Sequence, residues 1–542
     1  MQRLPLIVYA TLGALLLALA WPFIGSLWPF IFIAWVPMLL LEDHIYRKAY
    51  RPRKVFFLAY WHFLLFNLLT TWWIYFASGG GMVMAVMVNA LLMTFPFFFF
   101  HLTKRRLGIR EGLLSFFVYW LAFEYLHYYW ELSWPWLSMG NVFSLQPYLV
   151  QWYEYSGVSG GSLWVLLVNM IVFVIVRDAF WLSKRPLKQQ QFRLFSLTVV
   201  IAIPVLISLK MYFSYTETEN PVQVVIAQPN IDPYRDKFGG KTMNEQLDIF
   251  FALADQYVNE KTDYLVGPET QLSYSVMENK IESNPAIVRM REYVAEFPRL
   301  KIVSGMSSHR FYFEGESLSP TAKPTGEPGV YYDHYNASFQ VLKDEPLQIY
   351  HKMKLVLGVE KVPFTQWFPF LEKWALQMGG SSGSMGSEKE PMVFHSDVDP
   401  RHVVVPAICY ESIYGEHIAS FVAKGADLIF IITNDGWWEN TPGYLQHMSY
   451  ARLRAIENRR SIARCANTGI SCFINQRGDV LQQTSWWEPA VISASINANT
   501  EQTWFTRMGD VYGRSSMFVA MMLLLLTIAR WLQGKNAMKK EV

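Results

Sequence analysis

Eight apolar stretches interrupt the polar pattern of this chain, near residues 4–22, 27–41, 55–76, 82–102, 113–130, 160–176, 194–213 and 515–532. Most approach the twenty or so residues that an α-helix needs to cross a bilayer. Between about 220 and 500 the periodicity changes to short β-rich runs, at Val222–Ala227, Tyr264–Val266, Lys301–Ser304, Ala337–Leu342, His402–Val405, Leu428–Ile432 and Ser461–Ala463. Several are apolar at every position, as in strands covered on both faces. Residues 241–260 and 443–458 have helical composition, so strands and helices alternate into an α/β layered domain. The expected architecture is a multi-pass α-helical bundle of about eight spans joined to a large α/β domain. Its segments are 1–213 for seven spans, 220–500 for the catalytic domain, 515–532 for the eighth span and 533–542 for a tail.

Charge placement orients the bundle, because Lys and Arg are retained on the cytoplasmic side of short loops. Loops 42–54, 103–112 and 177–193 are rich in Lys and Arg, whereas connections 23–26, 77–81 and 131–159 contain none. Seven spans then place residue 214 outside, and the eighth returns Lys535, Lys539 and Lys540 to the cytoplasm. The first segment also resembles a signal peptide, with Ala18-Leu19-Ala20 as a cleavage site, but apolar character resumes soon after Trp21-Pro22. Connection 131–159 carries Trp134, Trp136, Tyr148, Trp152, Tyr153 and Tyr155. Such side chains favour the membrane interface and also suit the wall of a lipid-entry groove.

Composition agrees: 52% of residues are apolar and 16% aromatic, and net charge is only +3, so no global field recruits nucleic acid. Three cysteines, Cys409, Cys465 and Cys472, are too few for a disulfide framework and lack zinc-ligand spacing. No metal and no cofactor is expected.

Three local patterns carry the chemistry: Gly267-Pro268-Glu269, Tyr350-His351-Lys352 followed by Glu360, and Ile408-Cys409-Tyr410-Glu411. Polar residues just beyond apolar strands are where α/β sheets place their sites. A Glu, a Lys and a Cys from separate strand ends meet the needs of acyl transfer. The thiolate attacks a carbonyl, the carboxylate takes and returns the proton, and the ammonium with a backbone N–H holds the oxyanion. Cys465 and Cys472 are read as packing residues.

Together these motifs resemble the carbon–nitrogen hydrolase (nitrilase) superfamily, whose Glu, Lys and Cys follow β-strands in this order. Combined with the bundle, the chain resembles the apolipoprotein N-acyltransferase family. Further motifs carry that likeness: Trp134-Pro-Trp-Leu137, Gln228-Pro-Asn230, Asn434-Asp-Gly-Trp437, Gln446-His447 with Ala451-Arg-Leu-Arg454, and Arg507-Met-Gly-Asp510. It departs where Leu357-Gly-Val359, not Pro-Phe-Gly, precedes Glu360. The resemblance implies an extracytoplasmic α-β-β-α sandwich in the periplasm of a bacterial inner-membrane protein. It implies a phospholipid acyl donor, a diacylglyceryl-modified lipoprotein acceptor, and no partner beyond these and membrane lipids, the chain acting as a monomer. Glu269 is then the general base, Lys352 (rather than Lys354) the oxyanion donor and Cys409 the nucleophile. Tyr410 adds its backbone N–H, and Glu360 and Glu411 are supporting carboxylates. Asn434, Trp437 and Trp438 are candidate substrate contacts.

A membrane-anchored amidohydrolase is the main alternative, and a transporter or lipid receptor the second. Eight spans exceed what anchoring needs, and a transporter would carry ionisable residues within its spans. Since each methylene drawn into water costs about 0.8 kcal/mol, a lipid-using site is expected to open sideways to the membrane. Connection 131–159 and either the 376–392 loop or Trp437-Trp438 would line it.

Overall fold

The computed structural model describes residues 5–181, 187–365, 367–368, 370, 384–397 and 401–540. Two compact units emerge: Met1–Tyr75 with Gly79–Phe213 and Met508–Val542, and Phe76–Ser78 with Ser214–Arg507.

The first unit is helical. Each of the eight apolar stretches contains helix: Leu6–Ala20, Val36–Arg47 after a 3-10 turn at Trp28–Phe32, Arg53–Thr71, Gly79–Leu107, Ile109–Leu126, Tyr153–Trp181, Leu187–Ser214 and Val511–Lys540. Among the described residues, six segments are long and apolar enough to cross a membrane. The two outside that set are Leu6–Ala20, which is short, and Ile109–Leu126, which carries Arg110, Glu111 and Glu124. Connection 131–159 is more than an interfacial belt. Its 3-10 turns at Pro135–Leu137 and Met139–Leu145 bury Trp136 and Phe143, and Trp136 packs on Trp73 at 4.8 Å between ring centroids.

Ionisable groups inside these helices exceed what the sequence suggested. Lys104 Nζ donates to Glu42 Oε2 (2.5 Å) and to Asp43 Oδ1 (3.3 Å), and His101 Nδ1 lies 2.7 Å from Glu42 Oε1, all buried. The buried Glu124 accepts from Trp120 Nε1, the Met139 N–H and Ser162 Oγ. These bonds fasten helices and the 131–159 turns to one another.

The second unit holds two sheets. The larger runs β13–β1–β2–β4–β6–β5, with β3 on β4 and β7 on β6. Its strands are β1 (Pro221–Gln228), β2 (Tyr264–Val266), β3 (Leu272–Met277), β4 (Lys301–Tyr312), β5 (Lys323–Pro324), β6 (Tyr331–Val341), β7 (Gln348–His351) and β13 (Ala490–Asn497). The smaller runs β12–β11–β10–β9–β8, from β8 (Val404–Ile408), β9 (Leu428–Thr433), β10 (Ile462–Ala466), β11 (Cys472–Ile474) and β12 (Val480–Gln483).

Tyr264 of β2 meets Phe430 of β9 edge to face at 5.0 Å, and a continuous apolar core joins β1, β2 and β4 to β8–β11. A second core packs helices Met243–Ala254 and Pro285–Ala295 on the outer face of the larger sheet. Helices Gly415–Ala423 and Pro442–Asn458 cover the smaller one. The layers are therefore α-β-β-α. Strands β2, β8 and β9 have parallel neighbours and end on the same motifs singled out from the sequence.

Candidate active site

Glu269 stands three residues beyond β2, where Gly267 N–H bonds to Val303 O and Gly305 N–H to Pro268 O. Gly305 is required here. A Cβ on it would lie 2.6 Å from Thr270 N and 2.8 Å from Glu269 Cα, so the glutamate backbone can approach β4 only over a bare glycine.

Lys352 directly follows β7, its N–H bonded to Asn336 O of β6. Its Nζ donates to Glu360 Oε1 at 2.9 Å and reaches Glu269 Oε1 at 3.5 Å. Asn336 Nδ2 lies 2.7 Å from the same oxygen of each carboxylate. One amide and one ammonium thus hold two buried carboxylates in register. Burial alone would lower the Lys352 ammonium, but Glu360 and Glu269 outweigh it and hold its pKa above the usual lysine value. Glu360 is itself fixed by the Val356 N–H (2.7 Å) and the Met385 N–H to its carbonyl.

Lys354 diverges. Its Nζ sits 5.2 Å from the Tyr414 ring centroid. Both lysines lie beyond the end of β7 at His351, so the loop that follows the strand separates them.

Cys409 opens the turn after β8 with φ +49°, a left-handed conformation that costs a non-glycine residue energy and marks functional turns. Burial and the Glu269 charge push its thiol pKa up, against a lowering by Lys352.

Glu411 couples the two turns. Its Oε2 accepts the Ile408 N–H (2.9 Å), while Oε1 accepts the Tyr350 hydroxyl (2.7 Å), the Met353 N–H (2.7 Å) and the Lys354 N–H (3.2 Å). It therefore locks the backbone around Cys409 to the backbone after Lys352 and does not touch the lysine ammonium. Tyr410 is buried with its ring 5.2 Å from that of Tyr414.

The remaining candidates spread along the turn after β9. Asn434 Oδ1 accepts from Thr468 Oγ1, and its Nδ2 is buried with no hydrogen-bond partner. Trp438 meets the His447 ring edge to face at 5.5 Å, while Trp437 stacks on Phe238 and meets Tyr234 edge to face. Beyond Glu439 and Asn440 the surface opens into a groove of about 470 Å³. Of the expected 376–392 arm, residues 376–383 lie outside the described residues. Its remainder is anchored, through Gly386 N–H to His334 O and Glu388 to His351.

Sequence reasoning missed Asn336, Lys237 and Arg464, and marked Asp435 and His447 only as members of motifs, without a role. The buried Lys237 donates to the Glu269 carbonyl at 2.8 Å, and burial pulls its pKa down to about 7. Cys409, Asp435 and His447 offer donor atoms within 4.8 Å of one another, the only such metal-capable group among the described residues. However, Arg464 takes Asp435 Oδ2 at 2.6 Å and both His447 nitrogens have hydrogen-bond partners. These atoms are committed to a protein network. Cys465 and Cys472 lie buried in β10 and β11, as packing residues should.

Comparison with known proteins places the chain in a family. Residues 13–171 match the apolipoprotein N-acyltransferase N-terminal domain, and residues 244–505 match carbon-nitrogen hydrolase. Apolipoprotein N-acyltransferase of Chlorobaculum tepidum is 31% identical over 529 residues, 96% of each chain. That of Geobacter metallireducens is 26% identical over 532 residues, 96% of this chain and 95% of its own. Among solved structures, a nitrilase-superfamily amidase from Nesterenkonia covers 56% of this chain and 99% of its own at 14% identity, with a TM-score of 0.36. Two matched domains in this order and a full-length relative above 30% identity make the chain an acyltransferase that belongs to the apolipoprotein N-acyltransferase family.

Proposed function

We propose that this enzyme moves a fatty acyl chain from a membrane phospholipid, through a thioester on Cys409, to the α-amino group of the amino-terminal diacylglyceryl-cysteine of a lipoprotein. N-acylation of lipoproteins follows from the family. The donor, the thioester and the residue roles are our reading. The observation that carries it is the buried cluster in which Lys352 faces Glu269 and Glu360 while acting on the strained Cys409.

In the first half-reaction Glu269 takes the thiol proton and the thiolate adds to the ester carbonyl. Lys352 and the Tyr410 N–H hold the oxyanion. Collapse breaks the bond to the glycerol oxygen, which takes the proton back from Glu269 and leaves as lysophospholipid. In the second, the lipoprotein amine adds to the thioester and gives its proton to Glu269. The C–S bond breaks and the thiolate recovers that proton. Glu360 and Asn336 keep Lys352 and Glu269 aligned between the two halves, while Asn434, Trp437 and Trp438 contact substrate.

Six long apolar segments support placing this chemistry at a membrane. The loop charges support the bacterial inner membrane with the catalytic domain, 220–500, in the periplasm. Residues 1–213 and 515–532 then span the bilayer and 533–542 form a cytoplasmic tail. Each lipid visits the thiol in turn, so initial rates at varied concentrations of both lipids should give parallel double-reciprocal lines. Intersecting lines would refute the shuttle. Release of free fatty acid with no acylated lipoprotein would support a hydrolase.

A further inference from the structure

His447 lies on helix Pro442–Asn458, fully buried, beneath the turn that carries the nucleophile. Its Nε2 is 3.1 Å from the Cys409 carbonyl oxygen and 3.1 Å from Ser412 Oγ, and Ser412 itself donates to that carbonyl at 2.8 Å. Its Nδ1 is 2.9 Å from Asp435 Oδ1. A backbone carbonyl and a carboxylate can only accept. A neutral imidazole has a single N–H and would leave one of these buried contacts with two lone pairs facing each other. Arg464 Nη2 can donate to an unprotonated Nδ1 at 3.1 Å, but the carboxylate makes the closer approach at 2.9 Å and favours the proton on Nδ1.

Asp435 is built to keep that proton in place. Burial opposes its ionisation, but Arg464 and His447 outweigh burial and hold its carboxyl below the usual range. Thr433 Oγ1 donates to Oδ1 and Arg464 to Oδ2. The titratable groups facing His447 include Asp435 from the turn after β9, Arg464 from β10 and Cys409 from the turn after β8, and Tyr444 of its own helix senses Asp435. Around the thiol, Glu269 and Asp435 oppose ionisation, whereas Lys352 and Arg464 favour it. Transfer of the thiol proton to Glu269 moves a negative charge from that carboxylate onto the sulfur, and loss of the proton to solvent, as in an alkylation titration, adds one negative charge to the set.

We propose that His447, carrying a hydrogen on each ring nitrogen between Asp435 and the Cys409 carbonyl, is a positioning residue that pins the strained turn and supplies the cation balancing the thiolate. It acts through the Cys409 backbone and through space, so acyl transfer itself stays with Glu269, Lys352 and Cys409. The inference rests on Cys409 being the reactive thiol. Its readout is alkylation, not acyl transfer, so the two readings fail separately.

The test is the pH profile of Cys409 alkylation by iodoacetamide in the detergent-solubilised full-length protein, read by mass spectrometry of the Cys409 peptide. H447Q should move the midpoint up by one pH unit or more, lowering the neutral-pH rate about 10-fold or more, with the limiting alkaline rate near native. H447R, which keeps the charge, should restore part of the shift. D435N removes both the carboxylate that opposes thiol ionisation and the group that holds the second imidazole proton, so the two changes offset and the midpoint should move less than in H447Q. H447N carries the test should H447Q fail to fold. An unchanged midpoint in a folded H447Q or H447N, or a fall in rate by the same factor at every pH, would overturn the proposal.

Discussion

Replacing Glu411 by Gln tests the claim that one carboxylate ties the nucleophile turn to the lysine turn. The side chain is fully buried, and its oxygens accept from two turns and from the Tyr350 hydroxyl, with His417 Nε2 also 3.2 Å from Oε1. Glutamine is nearly the same shape, so no cavity forms. Its best orientation keeps the amide oxygen where Oε1 was and preserves the bonds to Tyr350, Met353 and Lys354. The amide nitrogen then faces the Ile408 N–H, donor against donor. One hydrogen bond to a charged acceptor is lost and a buried N–H is orphaned, together about 2–4 kcal/mol. For a unit of this size that lowers Tm by about 3–6 °C, measurable by tryptophan fluorescence in detergent. Because the lost bond is the one that holds the Cys409 turn, acyl transfer should fall more than stability alone explains, with Lys352 still paired to Glu360. A Tm within about 2 °C of native, together with near-native acyl transfer, would refute the coupling.

Asn336→Asp puts a third carboxylate where an amide bridges Glu269 and Glu360 at 2.7 Å. It should abolish acyl transfer in a lipoprotein acylation assay, and appreciable activity would show that the bridge is dispensable. Lys352→Met should slow thioester formation about 10²- to 10³-fold, the usual cost of one oxyanion donor, while Lys354→Met should not, and equal effects would remove Lys352 from that role. His351 gives a pH signature. Burial opposes its charge, but Glu278 and Glu388 raise its pKa to about 9. A raised folded-state pKa stabilises fully below about 6.5 and the benefit fades as pH rises through 9. His351→Gln should therefore cost up to about 3 kcal/mol near pH 6 and almost nothing above pH 10, read from denaturation midpoints across pH. A pH-independent cost would contradict that pairing.

What the sequence made legible were groups lying next to their own strands. β2 and β8 are uninterrupted apolar runs, so Glu269 and Cys409 stand out as polar residues beyond them, and the eight helical stretches are visible from length alone. β7 is only Gln348–His351 and half polar, so Lys352 was marked by its motif and not by a strand. Asn336 escaped because it sits inside β6 and reaches the site only through the β6–β7 pairing. Arg464 escaped, and His447 was only a motif residue without a role, for a similar reason: a neighbouring strand and a helix deliver them to the turns after β8 and β9, a juxtaposition that no spacing encodes. Glu124 was hidden in an apolar helix, since its partners Met139 and Ser162 come from later segments. The sequence could say that Glu411 supports the site, but not that it grips backbone from two turns.

The central claim is that the acyl group rests on Cys409. The full-length enzyme, incubated with phospholipid and no lipoprotein and then digested, should yield a Cys409 peptide heavier by one fatty acyl chain. Neutral hydroxylamine should remove that mass, and added diacylglyceryl-modified acceptor should discharge it. A Cys409 peptide that stays unmodified while the same preparation acylates lipoproteins would contradict the account.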